Sequence, residues 1–315
     1  MKILLTGATG FIGKNLLDFL RGHEVYCLVR SGEKYEKIKR DNTMPVYGDL
    51  TALDGELPDV EVIIHLAGLI RGRKRQYYKV NSGGMKNLAE KARGLKNLKK
   101  FIYVSSQAAS GPGTLENPKK ENEIEKPVSD YGLSKLLGEK ILKESGLPYL
   151  ILRPVSVYGP GDRDIFFAFQ MVKSGIVFLP AGKRFVNLVN VLDVCGGIMK
   201  AVYTESINDT FFISYPQTLT YDIFIKTIAE KMRKKILIIK VPGGLMRLGG
   251  VVAEVFAFLM RKPALLNVQK VTEINTKYWV VDHSRLLNVL GYKPQYPVER
   301  GVEETLAWYR RHRWL

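Results

Sequence analysis

The first twenty residues, MKILLTGATGFIGKNLLDFL, constrain the fold of this chain more than any other stretch. Ile3–Leu5 form a short apolar run typical of a buried strand, and the residues after Gly13 follow helical periodicity. Between the two, Gly7 permits a tight turn, Gly10 lets a ligand approach the backbone, and Gly13 allows close helix packing. A strand, a glycine turn and a helix in this order predict a binding site for a dinucleotide pyrophosphate at the helix N-terminus.

The first half of the chain alternates between strand patterns and helix patterns with short connections. The predicted strands are Lys2–Thr6, Glu24–Val29, Val62–Leu66, Phe101–Ser105 and Leu150–Arg153, and the predicted helices include Gly13–Leu20, Gly83–Arg93 and Tyr131–Lys143. This alternation predicts the α/β class, with a doubly wound parallel Rossmann sheet covered by helices on both faces.

Prolines and glycines interrupt this pattern after Arg153, and the chain is mostly helical from Tyr221 onward. Val186–Val191 and Thr210–Ser214 have strand patterns, and we expect them to return to the main sheet. We therefore predict two domains. The first is a dinucleotide-binding Rossmann domain of residues 1–160, with 184–214 returning to it, and the second is a smaller, mostly helical substrate domain of residues 161–183 and 215–315.

Composition places the chain among globular proteins with a large core, since 46% of its 315 residues are hydrophobic. Cys27 and Cys195 are far apart, lie in apolar runs and have no CxxC or histidine partner, so we predict reduced core thiols and no metal site. The longest apolar candidate, Leu248–Met260, is too short to span a membrane and contains Glu254. A cytoplasmic protein without a transmembrane segment is the expectation.

The formal net charge is +17, which allows several kinds of partner. Solvated helix faces explain it most simply, whereas an anionic substrate, an acidic membrane surface or nucleic acid are alternatives. The clusters are scattered and carry no nucleic-acid motif, so we predict no nucleic-acid partner. They are Lys34–Arg40, Arg71–Arg75, Lys91–Lys100, Lys231–Lys235 and Arg310–Arg313.

The end of the second strand indicates which dinucleotide is bound. An acidic residue at this position would bind the ribose hydroxyls of NAD, but Arg30 follows Val29 here. A guanidinium beside Ser31 suits a 2′-phosphate, which favours NADP and leaves NAD as the alternative. Asp49, in the sequence YGDL, could accept a hydrogen bond from the adenine amino group or simply stabilise a turn.

Two serines and a tyrosine–lysine pair form the combination of residues that most specifically predicts a catalytic site. Ser105 and Ser106 end a predicted strand at its carboxyl edge, where open α/β sheets bind ligands. Tyr131 and Lys135 are four residues apart on a predicted helix and share one face. A lysine cation beside a phenol favours the phenolate and lowers the tyrosine pKa from its usual value of about 10. The pattern predicts that Tyr131 moves a proton and that Ser106 holds a substrate oxygen.

Taken together, these motifs resemble the extended short-chain dehydrogenases/reductases of the NAD-dependent epimerase/dehydratase family. TGATGFIG, HLAG (His65–Gly68), VSS, YGLSK and LRPVSVYGPGD match in order across the first half. NVLDV and LGYKPQYPVERGVEETLAWY resemble the C-terminal half of that family. His65 itself has the pattern of a packed histidine. The missing acid at the end of the second strand departs from many sugar-nucleotide epimerases.

The resemblance implies roles for individual residues. Ser106, Tyr131 and Lys135 would form a catalytic triad in which Tyr131 is the general acid/base and Lys135 also holds the nicotinamide ribose. Asn81 would organise the site, with a helix N-cap as its structural alternative, and Pro154 would place backbone against the nicotinamide carboxamide. The full set of predicted cofactor-binding residues is Gly7, Thr9, Gly10, Phe11, Ile12, Gly13, Arg30, Asp49, Leu50, Leu66, Ala67, Gly68, Asn81, Tyr131, Lys135 and Pro154.

Three kinds of function remain open at this point. The first is an oxidoreductase or epimerase acting on a sugar nucleotide, whose diphosphate Arg163, Lys183 or Arg184 would bind. The second is an NADP-dependent enzyme for a hydrophobic alcohol or ketone of the 3β-hydroxysteroid or dihydroflavonol type, and the third is a non-catalytic cofactor-binding regulator. The resemblance also implies a homodimer.

The apolar segment Val241–Leu266 allows two interpretations. It could line a greasy substrate pocket, or it could form a core or dimer helix. Arg261 and Lys262 add a weak membrane-surface contact to the predictions.

Overall fold

Parallel strands dominate the computed structural model, which describes residues 1–259 and 268–315. Within these residues a seven-stranded, all-parallel sheet has the order β10-β6-β5-β4-β1-β2-β3 once the strands are numbered along the chain. The strands are β1 (Lys2–Thr6), β2 (Glu24–Val29), β3 (Thr43–Tyr47), β4 (Val62–His65), β5 (Lys100–Val104), β6 (Tyr149–Pro154), β7 (Ser156–Tyr158), β8 (Ile176–Pro180), β9 (Phe185–Asn190), β10 (Asp209–Ile213), β11 (Thr218–Thr220), β12 (Leu237–Val241) and β13 (Tyr278–Trp279).

Helices cover both faces of this sheet. The helices are α1 (Phe11–Phe19), α2 (Gly32–Glu36), α3 (Lys74–Tyr77), α4 (Gly84–Ala92), α5 (Gln107–Ser110), α6 (Asp130–Glu144), α7 (Phe166–Ser174), α8 (Val191–Tyr203), α9 (Tyr221–Met232), α10 (Gly243–Leu259), α11 (Val268–Asn275), α12 (Ser284–Asn288) and α13 (Val298–Arg311), with a π-helix at Tyr78–Gly83.

Successive side chains of each strand pack against helices on opposite faces of the sheet. Ile3 and Leu5 of β1 pack in one core with α1 and α8, whereas Leu4 packs in another with α4 and α6. Successive side chains point to opposite faces, so one apolar strand serves both layers. The predicted Rossmann fold of the α/β class is confirmed.

The strand order reverses beside β1, and this reversal positions the site. The chain runs from β1 outward through β2 and β3, then returns to place β4 on the other side of β1. In open α/β sheets, ligands bind at the carboxyl ends of the strands at such a switch point. The glycine turn follows β1 and the HLAG motif follows β4, so the two meet in that crevice.

One part of the predicted sheet is wrong. The strand predicted at Thr210–Ser214 is present as β10 and pairs with β6, as expected. The strand predicted at Val186–Val191 is β9, which instead pairs with β7, β11 and β13 in a second sheet. Because β10 occupies the edge beside β6, β9 does not return to the main sheet. The boundaries of the two domains stay a prediction.

A separate hydrophobic core supports the second sheet. It joins Phe169 of α7, Val186 of β9 and Ile228 of α9 with Leu306 of α13. Among the described residues no helix is long and apolar enough to cross a bilayer. The segment 241–266 is described only as far as 259 in α10, and Arg261 and Lys262 lie outside the described residues.

Candidate active site

The turn after β1 is tightly packed at Gly7 and Gly13 and has space at Gly10. Gly7 has a φ of 76°, and a Cβ there would lie 2.6 Å from the backbone nitrogen of Ala67. A Cβ on Gly13 would lie 2.3 Å from the Gly7 carbonyl oxygen. In the described residues, a Cβ on Gly10 would meet only that same oxygen, at 3.1 Å. This turn therefore leaves space for a ligand at Gly10.

The start of α1 fits a phosphate group. Gly10 is the N-cap, and its residue type provides no side chain to cap the helix. The first helical residues are Phe11, Ile12 and Gly13, whose N–H groups lie at the positive end of the helix dipole. Thr9 is half-buried in the same turn. Free N–H donors beside an open glycine are what a pyrophosphate requires.

The end of β2 presents Arg30 to solvent close to Asp49. Thr51 donates its N–H at 2.8 Å and its hydroxyl at 2.9 Å to Asp49 Oδ1. These bonds, helped by the charges of Arg30 and Lys79, hold the pKa of Asp49 below its usual value. Asp49 thus stabilises a turn, and its contact with adenine stays a prediction. Leu50 is buried in the core beside α4.

The end of β4 provides a flat edge beside the glycine turn. His65 is a packed histidine, since it is buried and its Nδ1 lies 2.7 Å from Thr6 Oγ1. Burial lowers its pKa to about 3. Leu66 and Ala67 are half-buried and Gly68 is exposed, so this edge consists largely of backbone and small side chains.

Asn81 fixes the loop that follows this edge. Its Oδ1 accepts the N–H of Leu69 at 2.7 Å, and its Nδ2 donates to the Leu69 carbonyl at 3.1 Å and to Ser134 Oγ at 2.9 Å. The alternative that Asn81 caps a helix is wrong, because it lies inside the π-helix. A Cβ on Gly68 would lie 3.2 Å from Asn81 Oδ1 and 3.7 Å from Lys135 Nζ.

Ser106, Tyr131 and Lys135 converge at the carboxyl end of β5. Ser106 is the N-cap of α5, where its hydroxyl accepts the Ala108 N–H at 3.1 Å, and it lies close enough to Tyr131 at the start of α6 to influence the pKa of that phenol. Lys135 Nζ donates to the Val104 carbonyl at 2.9 Å and lies 4.2 Å from the centroid of the Tyr103 ring. The strand end and one helix face therefore bring together the three residues predicted as a triad.

Burial shifts the two titratable groups of this cluster in opposite directions. It raises the pKa of Tyr131, and the neighbouring Ser106 hydroxyl opposes that rise. It lowers the pKa of Lys135 to about 7, against the attraction of the Glu139 carboxylate. The expectation that Lys135 lowers the pKa of Tyr131 is wrong here, because desolvation of the phenolate dominates. At neutral pH Tyr131 keeps its proton.

We expect Lys135 to give the cofactor-free protein a pH-dependent stability. Its pKa is about 7 in the folded protein and about 10.4 in an unfolded chain. Between these values the unfolded chain binds a proton that the folded chain has released, so the free energy of unfolding rises with pH. Urea unfolding across this range measures the rise.

The substitution Lys135→Met tests the origin of that rise. The variant should lose it between about pH 7 and 10, since methionine does not titrate. Lys140→Met, at an exposed position of the same helix, should keep it. An unchanged slope in Lys135→Met would show that another group is responsible.

Sequence reasoning missed several neighbours of Tyr131. Glu273 and Asp164 contribute to raising its pKa, and the Tyr77 ring centroid lies 6.0 Å from its own. Glu273 also accepts the Ser129 hydroxyl at 2.7 Å, at the N-cap of α6. These residues come from distant segments and carry no local signal.

Three further residues connect distant parts of the site. Ser134, the partner of Asn81, lies within the YGLSK motif and could have been found there. Pro154 is buried at the end of β6, where its register partner is Ile213 of β10. Arg71 forms an ion pair with Asp164, which joins the loop after β4 to the loop after β7.

The three cations predicted to bind an anionic substrate have different environments. Arg184 Nε is buried without a hydrogen-bond partner among the described residues, and its charge acts to lower the pKa of Tyr221. Burial raises that pKa more strongly, and Glu273 adds to the rise. Arg163 lies 5.6 Å from the Trp314 ring centroid, and Lys183 is exposed. Arg184 is therefore the candidate that has an unsatisfied donor.

A Rossmann sheet with a glycine turn after β1, a serine after β5 and a tyrosine–lysine pair on α6 defines the short-chain dehydrogenase/reductase class. The model of the NAD dependent epimerase/dehydratase family matches residues 3–211. The chain belongs to this family, and it is an enzyme. The family is NAD-dependent.

Similar proteins include enzymes with different substrates. A UDP-glucose 4-epimerase of Vibrio cholerae is 30% identical, with 96% of this chain and 94% of that protein covered. A ceramide reductase of Caulobacter vibrioides is 27% identical, with 99% and 96% covered. The solved structure of UDP-glucuronic acid 4-epimerase from Bacillus cereus, in complex with UDP-glucuronic acid and NAD, has a TM-score of 0.78 at 21% identity, with 99% and 100% covered. That structure supports the shared fold.

Proposed function

We propose that this enzyme transfers a hydride between NAD(P) and a carbon of its substrate while Tyr131 transfers a proton to or from the oxygen on that carbon. The observation that supports this most strongly is the convergence of Ser106, Tyr131 and Lys135 at the strand edge beside the glycine turn. When bound, the nicotinamide accepts or returns the hydride.

Each residue of the cluster then has a defined task. The Ser106 hydroxyl donates to the substrate oxygen, and Tyr131 Oη gives or takes its proton. Lys135 holds the cofactor ribose and, with its pKa of about 7, exchanges protons at neutral pH. Asn81 acts indirectly, because it holds the loop at Leu69 and the helix at Ser134 in fixed positions.

The cofactor we propose is NADP, on the basis of Arg30 at the end of β2. Arg30 is exposed, close enough to Asp49 for its charge to lower the pKa of that carboxyl, and provides a planar cation for a 2′-phosphate. We expect Arg30→Ala to weaken NADPH binding by roughly 10- to 100-fold, which corresponds to the loss of a charge-assisted hydrogen bond. Fluorescence titration with NADPH and NADH measures this, and NADH affinity should stay unchanged. An equal loss for both cofactors would contradict the assignment.

The substrate class we propose is a sugar nucleotide. Its support is the buried, unpartnered Nε of Arg184, since a diphosphate would satisfy this donor. The 30% identical relative is named a UDP-glucose 4-epimerase, which agrees with this class.

Native mass spectrometry of freshly purified protein tests the substrate class. We expect a retained dinucleotide and an adduct with added UDP-glucose or UDP-glucuronic acid. Arg184→Ala should lose the sugar-nucleotide adduct, whereas Lys183→Ala, at an exposed neighbouring position, should keep it. No adduct with the intact chain would contradict the proposal. The same spectra test the predicted homodimer, which would have twice the chain mass.

A second candidate is the reduction or oxidation of a hydrophobic alcohol or ketone. The observation that favours it is the apolar surface of α10, where Leu245 and Leu248 are exposed. Helix α11, which follows α10 along the chain, contacts the start of α6, the helix that carries Tyr131 and Lys135. This contact consists of two hydrogen bonds between Gln269 and Asp130, of 2.7 and 3.1 Å. NADPH oxidation with ketone substrates, without a sugar-nucleotide adduct, would establish this candidate instead.

A further inference from the structure

Strands β8 and β12 form a two-stranded parallel ribbon with a partly exposed apolar face. The register places Leu237 beside Ile176 and Ile239 beside Phe178. Their exposed fractions are 61% and 44% for the first pair and 38% and 53% for the second. Alternate residues of a strand share one side, so these four side chains form one continuous surface, which we call the ribbon face.

The opposite side of the ribbon is firmly packed. Val177 and Leu179 of β8 are buried with Val172 of α7 and Ile228 of α9, and Ile238 of β12 packs against the same core. Turning the ribbon face inward would expose this core instead. The four exposed side chains therefore have a fixed outward orientation in the folded chain.

Basic side chains surround one end of the ribbon. The Leu237 N–H donates to the Gly175 carbonyl at 2.8 Å, which holds the end of α7 beside the start of β12. Exposed cations flank this junction, and in the described part of the chain none of them takes part in an ion pair. We call them the basic end: Lys173, Arg233, Lys234 and Lys235.

Acidic residues are nearly absent from the same segments. Residues 165–183 and 231–253 contain no Asp or Glu, although they include the whole ribbon and the first part of α10. Asp222 is engaged by Lys240 at 2.6 Å, and Glu230 is the acid nearest in sequence to the basic end. The surface thus combines exposed apolar side chains with unbalanced positive charge.

We propose that the ribbon face docks this enzyme on the surface of an anionic lipid bilayer. Apolar side chains that enter the headgroup region and cations that meet lipid phosphates are the two contributions that peripheral binding requires. The same charges argue against a second copy of the chain on this face, because two basic ends would approach each other. The inference does not depend on which substrate the enzyme uses.

Flotation of the full-length protein with lipid vesicles tests the proposal. We expect binding to vesicles of phosphatidylcholine mixed with phosphatidylglycerol, weak binding to phosphatidylcholine alone, and weakening by salt. Phe178→Ser with Leu237→Ser should lower the partition coefficient about tenfold or more, since both side chains lose apolar area in the bilayer. Ile124→Ser with Ile207→Ser, at exposed apolar positions outside the ribbon, should leave it unchanged.

Charge reversal at the basic end tests the contribution of its cations to binding of anionic lipids. Lys234→Glu with Lys235→Glu should lower partitioning to anionic vesicles about tenfold or more. Lys91→Glu with Lys96→Glu makes the same change in net charge at exposed positions of another surface and should have a much smaller effect. Thermal unfolding of each variant confirms that it is folded.

Two results would overturn the proposal. One is equal partitioning of the ribbon variants and their controls. The other is a dimer in sedimentation velocity that Phe178→Ser with Leu237→Ser converts to a monomer, since a second copy would then cover the ribbon face.

Discussion

Tyr131→Phe is expected to lower turnover by roughly 10²- to 10⁴-fold, the range that a general acid–base group contributes. Phenylalanine keeps the ring that packs 6.0 Å from Tyr77, but it has no proton to exchange with the substrate oxygen. Because the phenol keeps its proton at neutral pH in this structure, the variant carries the same charge as the native protein and lacks only the hydroxyl group. Steady-state rates and NADPH titration measure the effect, and cofactor affinity should change little.

A matched control is available in the chain. Tyr35 and Lys39 have the same spacing as Tyr131 and Lys135. Tyr35, however, donates its hydroxyl to the carbonyl of Thr43 at 2.6 Å, at the start of the edge strand β3. Tyr35→Phe should therefore reduce stability by about 1 kcal/mol and leave turnover unchanged. Full turnover in Tyr131→Phe would refute the proposed mechanism.

Local patterns predicted most elements of the main sheet. β1 and β2 have the predicted bounds, Lys2–Thr6 and Glu24–Val29. β9 shows what a local pattern cannot decide. Its run of buried residues resembles a main-sheet strand, but its partners β7, β11 and β13 come from three separate segments. Choice of sheet depends on those distant pairings, and a single apolar run contains no information about them.

The candidate site likewise contains features that local patterns predict and features that depend on distant contacts. Ser106, Tyr131 and Lys135 were predicted because strand ends and helical spacing place them together. The direction of the Tyr131 pKa was predicted wrongly, because a sequence shows neighbours along a helix but not the burial around them. Glu273 reaches the site from α11, far along the chain, and only the tertiary structure shows this contact.

The second large expected effect is a loss of stability when the buried ion pair between β6 and α6 is broken. Arg153 of β6 donates to Glu139 of α6 at 3.0 and 2.6 Å, and neither side chain is exposed to solvent. Glu125 accepts a further bond from Arg153 at 3.0 Å and is 25% exposed. Glu139 lies one turn after Lys135, so this pair anchors the helix that carries the predicted triad.

Removing Arg153 leaves the Glu139 carboxylate buried without a counter-charge, and removing Glu139 leaves Arg153 buried with only the partly exposed Glu125 as its partner. We expect Glu139→Leu and Arg153→Met each to lower the free energy of unfolding by about 3–5 kcal/mol. Glu125→Leu should cost less, about 1 kcal/mol, because solvent partly screens its 25% exposed carboxylate and Arg153 keeps Glu139 as a partner. Urea unfolding measures all three variants.

The double variant Arg153→Met with Glu139→Leu distinguishes the possible causes of that loss. If the loss comes from the unpaired charge, the double variant should be more stable than either single variant, since neither fully buried charge of the pair remains. Losses that simply add would show that packing of the two side chains matters more. Glu139→Leu as harmless as Glu125→Leu would contradict the buried pair itself. Because the Glu139 charge raises the pKa of Lys135, its removal should also shift the pH dependence of stability to lower pH.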